Sequence, residues 1–382
     1  MWPTVSAMTT RLALPEDYVA YLAACVGGRE RRLGPLVKSI SDAYIGSARV
    51  RPTLTPLARS KAQRSVDPMA EAAARAEAYS FYYGPLTALK LQAIVSELEQ
   101  RYPAWPPRTH LRVLDLGAGP GSATLGLLLA DPRFEIEALW IDSDPAWEAT
   151  DLARPWVESG ALAVQRKTVD LARPIQGTFD LVLMANVLVE LAEDASADPK
   201  LGTLLERRLE PDGVAILVEP ATREVTRRLH RMRDALVASG WLVLAPCTGN
   251  GPCPMLLGTR DWCHETRDWI QPDFHHHLDQ IAGLKKDALR FSFLAVSKQQ
   301  LVPQHAVAAR VVSEVRREKG RTRFDTCDES SQRSEWDAQQ RDLRRHSALG
   351  EEVHELRRGA LVRLPHSRGG RLGAGDDFGR IL

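Results

Sequence analysis

Beyond residue 110, short runs of apolar residues alternate with segments in which apolar positions recur every three or four residues. The apolar runs predict buried strands, and the periodic segments between them predict helices. The strands are predicted at 111–117, 137–142, 161–166, 179–186 and 213–220. Strands that alternate with helices form a parallel sheet covered by helices on both faces, so we predict a Rossmann-like α/β fold.

The segments on either side of this sheet have different patterns. Residues 68–101 contain almost no helix-breaking residues and predict a long helix. Two later strands, at 290–298 and 308–315, are predicted at the sheet edge or in an appended module. The end of the chain is polar and predicts a flexible tail. The predicted division is a helical region 1–110, a sheet domain 111–245, a cysteine-rich region 246–328 and a tail 329–382.

Composition places few limits on function. The chain has 382 residues, of which 44% are hydrophobic and 26% charged, and a net charge of +1. These values are ordinary for a globular protein with one large domain and extensions, or with two domains. Basic residues concentrate in 29–64 and in 310–323. This distribution favours local contact with phosphate groups, and the alternative is a solvated surface.

The N-terminal residues and the hydropathy bear on location. No apolar run approaches the roughly 20 residues that span a bilayer. The N-terminus lacks the basic and apolar segments of a secretion signal. The first residues are rich in Ser and Thr, as in a mitochondrial presequence, but Glu16 and Asp17 follow early. We predict a cytoplasmic protein, with the mitochondrial matrix as the alternative.

A glycine-rich loop follows the first predicted strand. Asp115 ends that strand, and Gly117, Gly119 and Gly121 follow it in the run VLDLGAGPGSAT. Glycines allow the backbone to turn tightly and to approach a ligand that faces the next helix. A dinucleotide-binding loop would need Gly or Ala at position 122, where this chain has Ser122. The spacing instead resembles that of class I S-adenosylmethionine-dependent methyltransferases, which implies a loop that cradles the methionine part of the cofactor.

Polar residues end the neighbouring strands. Asp142 ends the second strand, 23 positions after Gly119, where a carboxylate can accept both ribose hydroxyls of a nucleotide. Asp170 follows the third strand, where such enzymes often have a residue that faces the adenine. Asn186 ends the fourth strand, at the mouth of the predicted cleft. Ordinary loop or cap roles are the alternative for Asp170 and Asn186.

Clustered cysteines indicate a metal site. The chain has five cysteines, and four of them, Cys247, Cys253, Cys263 and Cys327, fall after residue 245. In a reducing compartment such thiols indicate metal binding or catalysis more than disulfides. Four thiolates complete either a zinc site or an iron–sulfur cluster. Closely paired zinc knuckles are absent, so the spacing favours iron–sulfur, with Zn²⁺ as the alternative.

The segment APCTGNG also resembles the loop of cytosine-5 RNA methyltransferases, in which a cysteine attacks the base. A nucleophilic Cys247 is consistent with covalent catalysis. In those enzymes the loop follows the fourth strand. Here the fourth strand ends at residue 186, some 60 residues before the cysteine. The position argues against this alternative.

Together, these motifs resemble the methyltransferase-like family of small-ribosomal-subunit assembly proteins, found on mitochondrial ribosomes and in bacteria. The resemblance covers about residues 70–330 and is carried by AEAYSFYYGPLTA, LDLGAGPGSAT, APCTGNGPCP, DWCHE and RFDTC. It implies that Cys247, Cys253, Cys263 and Cys327 hold a [4Fe–4S] cluster. Glu265 departs from the pattern, because an aromatic residue usually follows the His of DWCH.

Two functions follow from these predictions. The first is an S-adenosylmethionine-dependent methyltransferase that acts on the RNA or a protein of the small ribosomal subunit, bound through 29–64 and 310–323. The second is a non-catalytic assembly factor in which cofactor and cluster are structural or sensory. MANVLVEL replaces the usual amino-methylation motif after the fourth strand, so no general base can be named. We expect a monomer when the protein is not on the ribosome.

Overall fold

The computed structural model describes residues 11–46, 68–150, 152–170, 173, 175–190, 197–304, 309–345, 347–365, 370–373 and 376–381. The helices are α1 (Glu16–Val26), α2 (Glu30–Gly46), α3 (Pro68–Arg101), α4 (Ser122–Ala130), α5 (Arg154–Glu158), α6 (Ala197–Arg208), α7 (Arg223–Ala238), α8 (Asp273–Ala282), α9 (Gln340–Arg345) and α10 (Ser347–Glu355). Short 3-10 helices cover Pro145–Ala149 and Pro254–Leu256.

The strands form two sheets. The strands of the first sheet are β1 (His110–Leu116), β2 (Glu135–Asp142), β3 (Leu162–Thr168), β4 (Phe179–Ala185), β5 (Leu209–Pro220), β6 (Leu242–Ala245), β7 (Glu265–Asp268) and β8 (Ala288–Ser297). Those of the second are β9 (Ala309–Val311), β10 (Arg316–Glu318), β11 (Arg321–Cys327), β12 (Arg333–Gln339), β13 (Leu361–Arg363), β14 (Gly370–Leu372) and β15 (Gly379–Arg380).

The first sheet has the order β3-β2-β1-β4-β5-β8-β6, and β7 also pairs with β8. Strands β1 to β5 are parallel. The predicted Rossmann-like α/β fold is therefore confirmed. Because parallel strands end at one edge of a sheet, the loops after β1, β2, β3 and β4 lie side by side.

The sheet is mixed, and in this respect the prediction of a parallel sheet is wrong. β8 lies between β5 and β6 and is antiparallel to both. It occupies an interior position, whereas the sequence predicted the 290–298 strand at an edge or in an appended module. β8 is buried along most of its length. Burial on both faces gives a continuous apolar run in either strand direction, so the pattern does not reveal the direction.

Alternate residues of each central strand face two separate cores. Val113 of β1 belongs to the core beneath α3 and α4, and Leu114 belongs to the core beneath α6 and α7. Each fully buried aliphatic side chain contributes about 1.5–3 kcal/mol of transfer free energy. Both faces of the sheet are therefore covered, as the alternation of strands and helices predicts.

The second sheet includes the residues that the sequence predicted as a flexible tail. Its order is β14-β12-β11-β9-β13-β15, with β10 paired to β11. Phe324 and Trp336 lie in its buried core. The tail prediction for 329–382 therefore differs from the structure, because β12 to β15 and two helices fall within that range. Alternating strands expose half of their side chains, so their composition is polar although each strand contributes to a core.

Candidate functional site

The glycine loop turns sharply between β1 and α4. Gly117, Gly119 and Gly121 have φ angles of 65°, 53° and 83°, in the left-handed region that favours glycine. A Cβ atom on Gly121 would lie 2.1 Å from the ring of Trp140. The Gly121 backbone thus packs directly against an indole, and the N-terminus of α4 faces the loop. A helix N-terminus with close backbone approach suits a polar or anionic ligand group.

Asp142 lies against this loop. The Gly119 N–H donates to Asp142 Oδ2 at 2.9 Å, and the Asp144 N–H donates to Oδ1 at 3.0 Å. Burial raises the pKa of Asp142, and hydrogen bonds from backbone amides partly oppose the rise. The structure therefore brings together the loop and the second-strand carboxylate that the sequence pairs only by spacing.

Asp115 is fully buried at the end of β1, against the first turn of α4. Its Oδ2 accepts hydrogen bonds from the Thr124 hydroxyl at 2.8 Å and the Thr124 N–H at 3.2 Å. Burial raises the pKa of Asp115 to about 7, while the bonds from Thr124 lower it. The buried Oδ1 has no hydrogen-bond partner in the described structure. Asp115 thus fixes the first turn of α4, and any contact with a ligand would pass through Oδ1.

Asn186 follows β4 with a φ of 60°, which is uncommon for a residue other than glycine. Its Nδ2 lies 3.3 Å from Tyr79 Oη and 3.4 Å from Thr87 Oγ1, both on α3. Tyr79 also makes an edge contact with Trp147, with ring centroids 5.3 Å apart. A backbone conformation of this kind is held by its surroundings and is common at functional sites.

Two aromatic residues at this edge were missing from the sequence prediction. Trp147 lies 3.7 Å from the position of a Cβ on Gly119, and Tyr79 reaches the same region from α3. Trp147 belongs to no motif, and Tyr79 belongs to the AEAYSFYYGPLTA segment, which gave no indication of a site; packing places both beside the loop. Asp170 follows β3, and the parallel register of Asp142 with Thr168 places it at the same edge of the sheet. Asp170 is exposed.

The four predicted cysteines line one cavity of about 50 Å³. Cys247 follows β6, Cys253 precedes a 3-10 helix, Cys263 precedes β7, and Cys327 ends β11 in the second sheet. All are free thiols. Burial, followed by the neighbouring thiols, raises the pKa of Cys253 and Cys327 to about 12. The cavity thus joins the two sheets.

Arginine side chains donate hydrogen bonds to backbone carbonyls of the segment between β6 and β7, which carries Cys247, Cys253 and Cys263. Arg227 donates to Met255 O, Asp261 O and Gly258 O at 2.7–2.8 Å. Arg233, which is buried, donates to Gly249 O at 2.7 Å. Both arginines come from α7. They fix the backbone of a segment that has little regular structure of its own.

The second sheet contributes further arginines to the same segment. Arg310 of β9 donates to Pro246 O at 2.9 Å, and Arg358 donates to Trp262 O at 3.3 Å. Arg310 is 2% exposed and binds Glu97 of α3 through both carboxylate oxygens. A buried charge needs such pairing, because desolvation alone is costly. The cavity wall is therefore held together by contacts from three distant parts of the chain.

Single-ion binding finds no support in this geometry. Across the residues that the structure describes, no three or more His, Cys, Asp or Glu side chains are grouped so that they could hold a metal ion. His264, which borders the cavity, lies 3.3 Å from Arg358 through its Nε2. Burial, then the charge of Arg358, lowers the pKa of His264 to about 4.

Comparison with known proteins agrees with this architecture. Residues 73–344 match the family model described as "Mitochondrial small ribosomal subunit Rsm22", which is well over half of the chain. The chain belongs to this family. The family recognised from the sequence motifs is thereby confirmed.

Individual relatives share less of the chain. It is 32% identical over 158 residues to a release factor glutamine methyltransferase from Deinococcus radiodurans, and spans 53% of that protein. The chain thus covers about half the length of this curated relative. Two solved structures are similar. A ribosomal protein L11 methylase from Lactobacillus delbrueckii is 16% identical, with a TM-score of 0.32, and the match covers 55% of this chain and 78% of that one. The N-methyltransferase NodS from Bradyrhizobium japonicum, in complex with S-adenosylhomocysteine, is 13% identical, with a TM-score of 0.33, and the match covers 55% of this chain and 87% of that one.

Cys247 of this Rsm22-family chain is far from the glycine loop in the sheet order. It follows β6, and β4, β5 and β8 lie between β6 and β1. A nucleophile must reach the carbon that it attacks, in a substrate that also meets the methyl donor. The position of Cys247 in the cavity wall therefore does not favour the cytosine-5 mechanism.

The basic segments differ from a simple phosphate-binding surface. Arg310 is buried in an ion pair, so it cannot contact RNA. Arg29 and Arg32 both pair with Glu77 of α3. The other arginines of 310–323 are exposed or half-buried on β10 and β11. The basic residues Arg49, Arg51, Arg59, Lys61 and Arg64 lie outside the described residues. Among those residues that are described, no helix is long and apolar enough to cross a membrane.

Proposed function

We propose that this protein binds S-adenosylmethionine at the glycine-loop edge of its first sheet and acts on the small ribosomal subunit. The observation that carries the proposal is the contact between the left-handed glycine loop and Asp142. The two features stand 23 residues apart in sequence and meet at the edge where open α/β sheets bind ligands. The methyltransferase relative and the family description support the same function.

In this proposal each predicted residue has a distinct task. The backbone of Gly117, Gly119 and Gly121 lies against the methionine part of the cofactor, which the absence of side chains allows. Asp142 accepts the ribose hydroxyls, since each carboxylate oxygen has a further lone pair beyond the amide that it already accepts. Asp170 faces the adenine, and Asn186 borders the site of the transferred methyl group. Asp115 positions α4.

The action on the small subunit is methyl transfer to its RNA or to one of its proteins. The cofactor supplies the reactive methyl group, and the protein orients it and excludes water. Contact with the subunit is assigned to the basic segments 29–64 and 310–323, apart from the buried Arg310. The family description favours the mitochondrial matrix over the cytoplasm. A monomeric state remains a prediction.

We propose further that Cys247, Cys253, Cys263 and Cys327 hold a [4Fe–4S] cluster. The four thiols converge on one cavity, yet they do not form a group that would hold a single ion. A tetrahedral zinc site needs each cysteine sulfur at about 2.3 Å from the metal. A four-iron cube is larger than a single ion, so its four thiolate ligands stand farther apart. The buried arginines offset the negative charge of such a cluster. When bound, the cluster supplies a structural or one-electron redox centre.

One observation favours a non-catalytic assembly factor as the second candidate. Val187, Leu188 and Val189, which follow Asn186, are buried and apolar. The nearby carboxylate of Glu219 accepts the N–H groups of Leu188 at 2.8 Å and Val189 at 3.3 Å. Through these hydrogen bonds, Glu219 fixes the backbone of the loop after β4. It is therefore not positioned as a general base.

Cofactor binding is tested by calorimetric titration of the purified chain with S-adenosylhomocysteine. We expect Asp142→Ala to weaken binding by roughly ten-fold or more, because hydrogen bonds to a charged group are worth about 1.5–3 kcal/mol. Asp212→Ala is the matched control, since Asp212 pairs with Arg108 on the surface and is remote from the loop. Equal affinity of the Asp142 variant and the wild type would refute the site.

Activity and the cluster need separate measurements. Methyl-labelled cofactor with immature small subunits distinguishes the two functions, because label in RNA or protein supports the enzyme and its absence supports the assembly factor. Protein purified without oxygen should be brown and contain four irons per chain. Cys263→Ser should lose this iron, whereas Cys25→Ser, outside the cavity, should keep it. A colourless wild-type protein with bound zinc would exclude the cluster.

A further inference from the structure

The second sheet has the connectivity of an OB-fold barrel. β9 is antiparallel to β11 and to β13, and β11 is antiparallel to β12. The last two strands reach both open edges, because β14 pairs with β12 in parallel and β15 pairs with β13 antiparallel. Helices α9 and α10 lie between the third and fourth barrel strands. Such five-stranded Greek-key barrels bind oligonucleotides through strands two and three and the adjacent loops.

The usual binding face of such a barrel is unsuited to RNA in this chain. The outward side chains of its second and third strands, β11 and β12, carry equal numbers of cations and anions: Arg321, Arg323, Arg333, Asp325, Glu335 and Asp337. One end of the face is held to the cysteine segment, because Arg333 pairs with Asp261 at 3.3 Å. Aromatic residues on these strands, Phe324 and Trp336, point into the core. This face therefore lacks both excess charge and stacking platforms.

The hairpin formed by β10 and β11 has a different charge balance. Residues 316–323 carry five cations (Arg316, Arg317, Lys319, Arg321 and Arg323) and one anion (Glu318), which gives a net charge of +4. Arg316, Arg321 and Arg323 pair with Glu318, Glu335 or Asp337. These pairs are partly exposed, and such pairs exchange readily for a stronger anion.

Arg317 stands apart from those pairs and lies beside a second arginine. Its Nη2 donates to the carbonyls of His354 at 2.7 Å and Leu356 at 2.9 Å. Arg357 donates through Nη1 to the same two carbonyls, at 3.4 and 3.0 Å. Two guanidinium groups thus converge at the end of α10. Burial, followed by the charge of Arg357, lowers the pKa of Arg317.

The structure offers this arginine pair only a weak counter-charge. Within the described ranges, neither Arg317 nor Arg357 forms an ion pair with a carboxylate. The C-terminus of α10 contributes roughly half a negative charge. Two full positive charges therefore remain mostly uncompensated. Arg317 Nη1 lies 3.5 Å from Val315 O, whereas Arg357 contacts the carbonyls through Nη1 alone. The N–H groups that remain lie in the planar geometry that suits a phosphate group.

We propose that the Arg317–Arg357 pair and the adjacent hairpin bind the phosphate groups of single-stranded RNA. The inference deepens the proposed action on the small ribosomal subunit and rests on it for the choice of RNA. A positively charged hairpin that tracks the phosphate backbone is the electrostatic part of single-strand binding, and the usual barrel face takes no part in it. Phosphate contacts carry no information about the bases, so binding is independent of base sequence.

The test is binding of a fluorescently labelled single-stranded RNA of mixed sequence to the full chain, measured by anisotropy at several salt concentrations. We expect the double variant Arg317→Gln/Arg357→Gln to weaken binding and to reduce the slope of log affinity against log salt by about 1.4, because each phosphate of a single strand that the protein neutralises adds ~0.7 to that slope. Glutamine is uncharged and shorter than arginine, so urea unfolding of the variant shows separately whether the α10 end stays folded.

The control is Arg341→Gln/Arg344→Gln on α9, which removes the same charge from the same barrel. This control should keep the wild-type slope. An unchanged slope in the Arg317/Arg357 variant would overturn the proposal, as would an equal loss in the control. Tighter binding of duplex RNA, with the same loss in the variant, would overturn the single-strand assignment. Titration with S-adenosylhomocysteine is run in parallel. If the chain binds RNA normally but does not bind S-adenosylhomocysteine, only the proposed cofactor site is rejected.

Discussion

The glycine-loop edge and the cysteine cavity differ in how the chain assembles them. The glycine loop joins β1 directly to α4, and its conformation depends on backbone angles and on one carboxylate from the neighbouring strand. The cysteine cavity instead draws its wall from the segment after β6 and from β11 of the second sheet. Its backbone is fixed by arginine side chains from distant elements. The first region is thus local, and the second depends on how whole sheets dock.

This difference predicts different sensitivities to mutation. Local backbone geometry should make the glycine loop sensitive to the size of one side chain. Docking through buried charges should make the cavity sensitive to loss of an ion pair that touches no cysteine. The substitutions below test this contrast, from the largest expected effect to the smallest.

The largest effect is expected for Arg310→Met. This change leaves the buried Glu97 without its strongest partner and frees the Pro246 carbonyl. Removal of one member of a buried pair typically costs ~3–5 kcal/mol. Urea unfolding measures the loss. Arg371→Met is the control, because Arg371 pairs with Asp342 at the surface, where a pair is worth about 0–1 kcal/mol. Similar losses of unfolding free energy in the two variants would show that the buried ion pair between the sheets stabilises the protein no more than a surface ion pair does.

Gly121→Ala should come next. Gly121 and Gly240 have nearly equal φ angles of 83° and 82°, but only the Cβ at 121 would meet a neighbour, the ring of Trp140. Both substitutions incur the left-handed backbone penalty of roughly 1–2 kcal/mol. Overpacking adds about 1–3 kcal/mol at position 121. The two free energies of unfolding should therefore differ, and S-adenosylhomocysteine affinity should fall only for Gly121→Ala. Equal stabilities would show that the indole moves aside.

A smaller effect is expected for Arg227→Lys. Lysine keeps the charge but cannot reach the carbonyls of Met255, Gly258 and Asp261 together, because it lacks the planar fork of arginine. We expect a loss of about 1.5–3 kcal/mol in unfolding free energy. We also expect faster release of iron to a chelator. Unchanged iron release would mean that these bonds do not hold the cavity in shape.

The smallest effect is a change in pH dependence at Glu219. Burial raises its pKa to about 8 in the folded protein, against bonds from the Leu188 and Val189 amides that lower it. The folded state therefore holds this proton more tightly than the unfolded state. Its stabilising contribution is complete below about pH 4.5 and is lost as the pH rises to about 8. The slope from one proton is at most about 1.4 kcal/mol per pH unit.

Glu219→Gln removes this ionisable group, so position 219 no longer contributes to the pH dependence of the unfolding free energy. The variant should show a smaller decline in stability between about pH 7 and pH 8, and Asp115, with a pKa of about 7, accounts for part of the decline that remains. Stability measured by urea unfolding across this interval tests the expectation. A decline as steep as that of the wild type would place the ionisation on another group.

Much of the fold follows from the sequence, and the reasons are physical. Val113 and Leu114 occupy consecutive positions of one apolar run and enter two different cores, as a strand covered on both faces requires. The run specifies burial but not direction, which is why β8 could not be placed between β5 and β6. Trp336 and Ala338 alternate with charged residues, so the composition of β12 suggests a polar tail although each inward residue is buried.

The candidate sites also differ in how much of each the sequence predicts. Glycine spacing alone specifies the loop after β1, because left-handed backbone angles exclude other residues at low energy. The cysteine spacing indicates a shared site but does not reveal Arg227, Arg233 and Arg310, since an arginine that binds distant carbonyls leaves no periodic signal. Tyr79 and Trp147 likewise reach the glycine loop only through packing.

By itself, the sequence determines the local features of this protein: which segments are buried and where the backbone turns left-handed. Only the tertiary structure decides the antiparallel position of β8, the strand order of the second sheet and the burial of Arg310 against Glu97. The physical reason is the range of each interaction. Backbone sterics and burial act within a few residues, whereas strand pairing and buried ion pairs join residues that the chain keeps far apart.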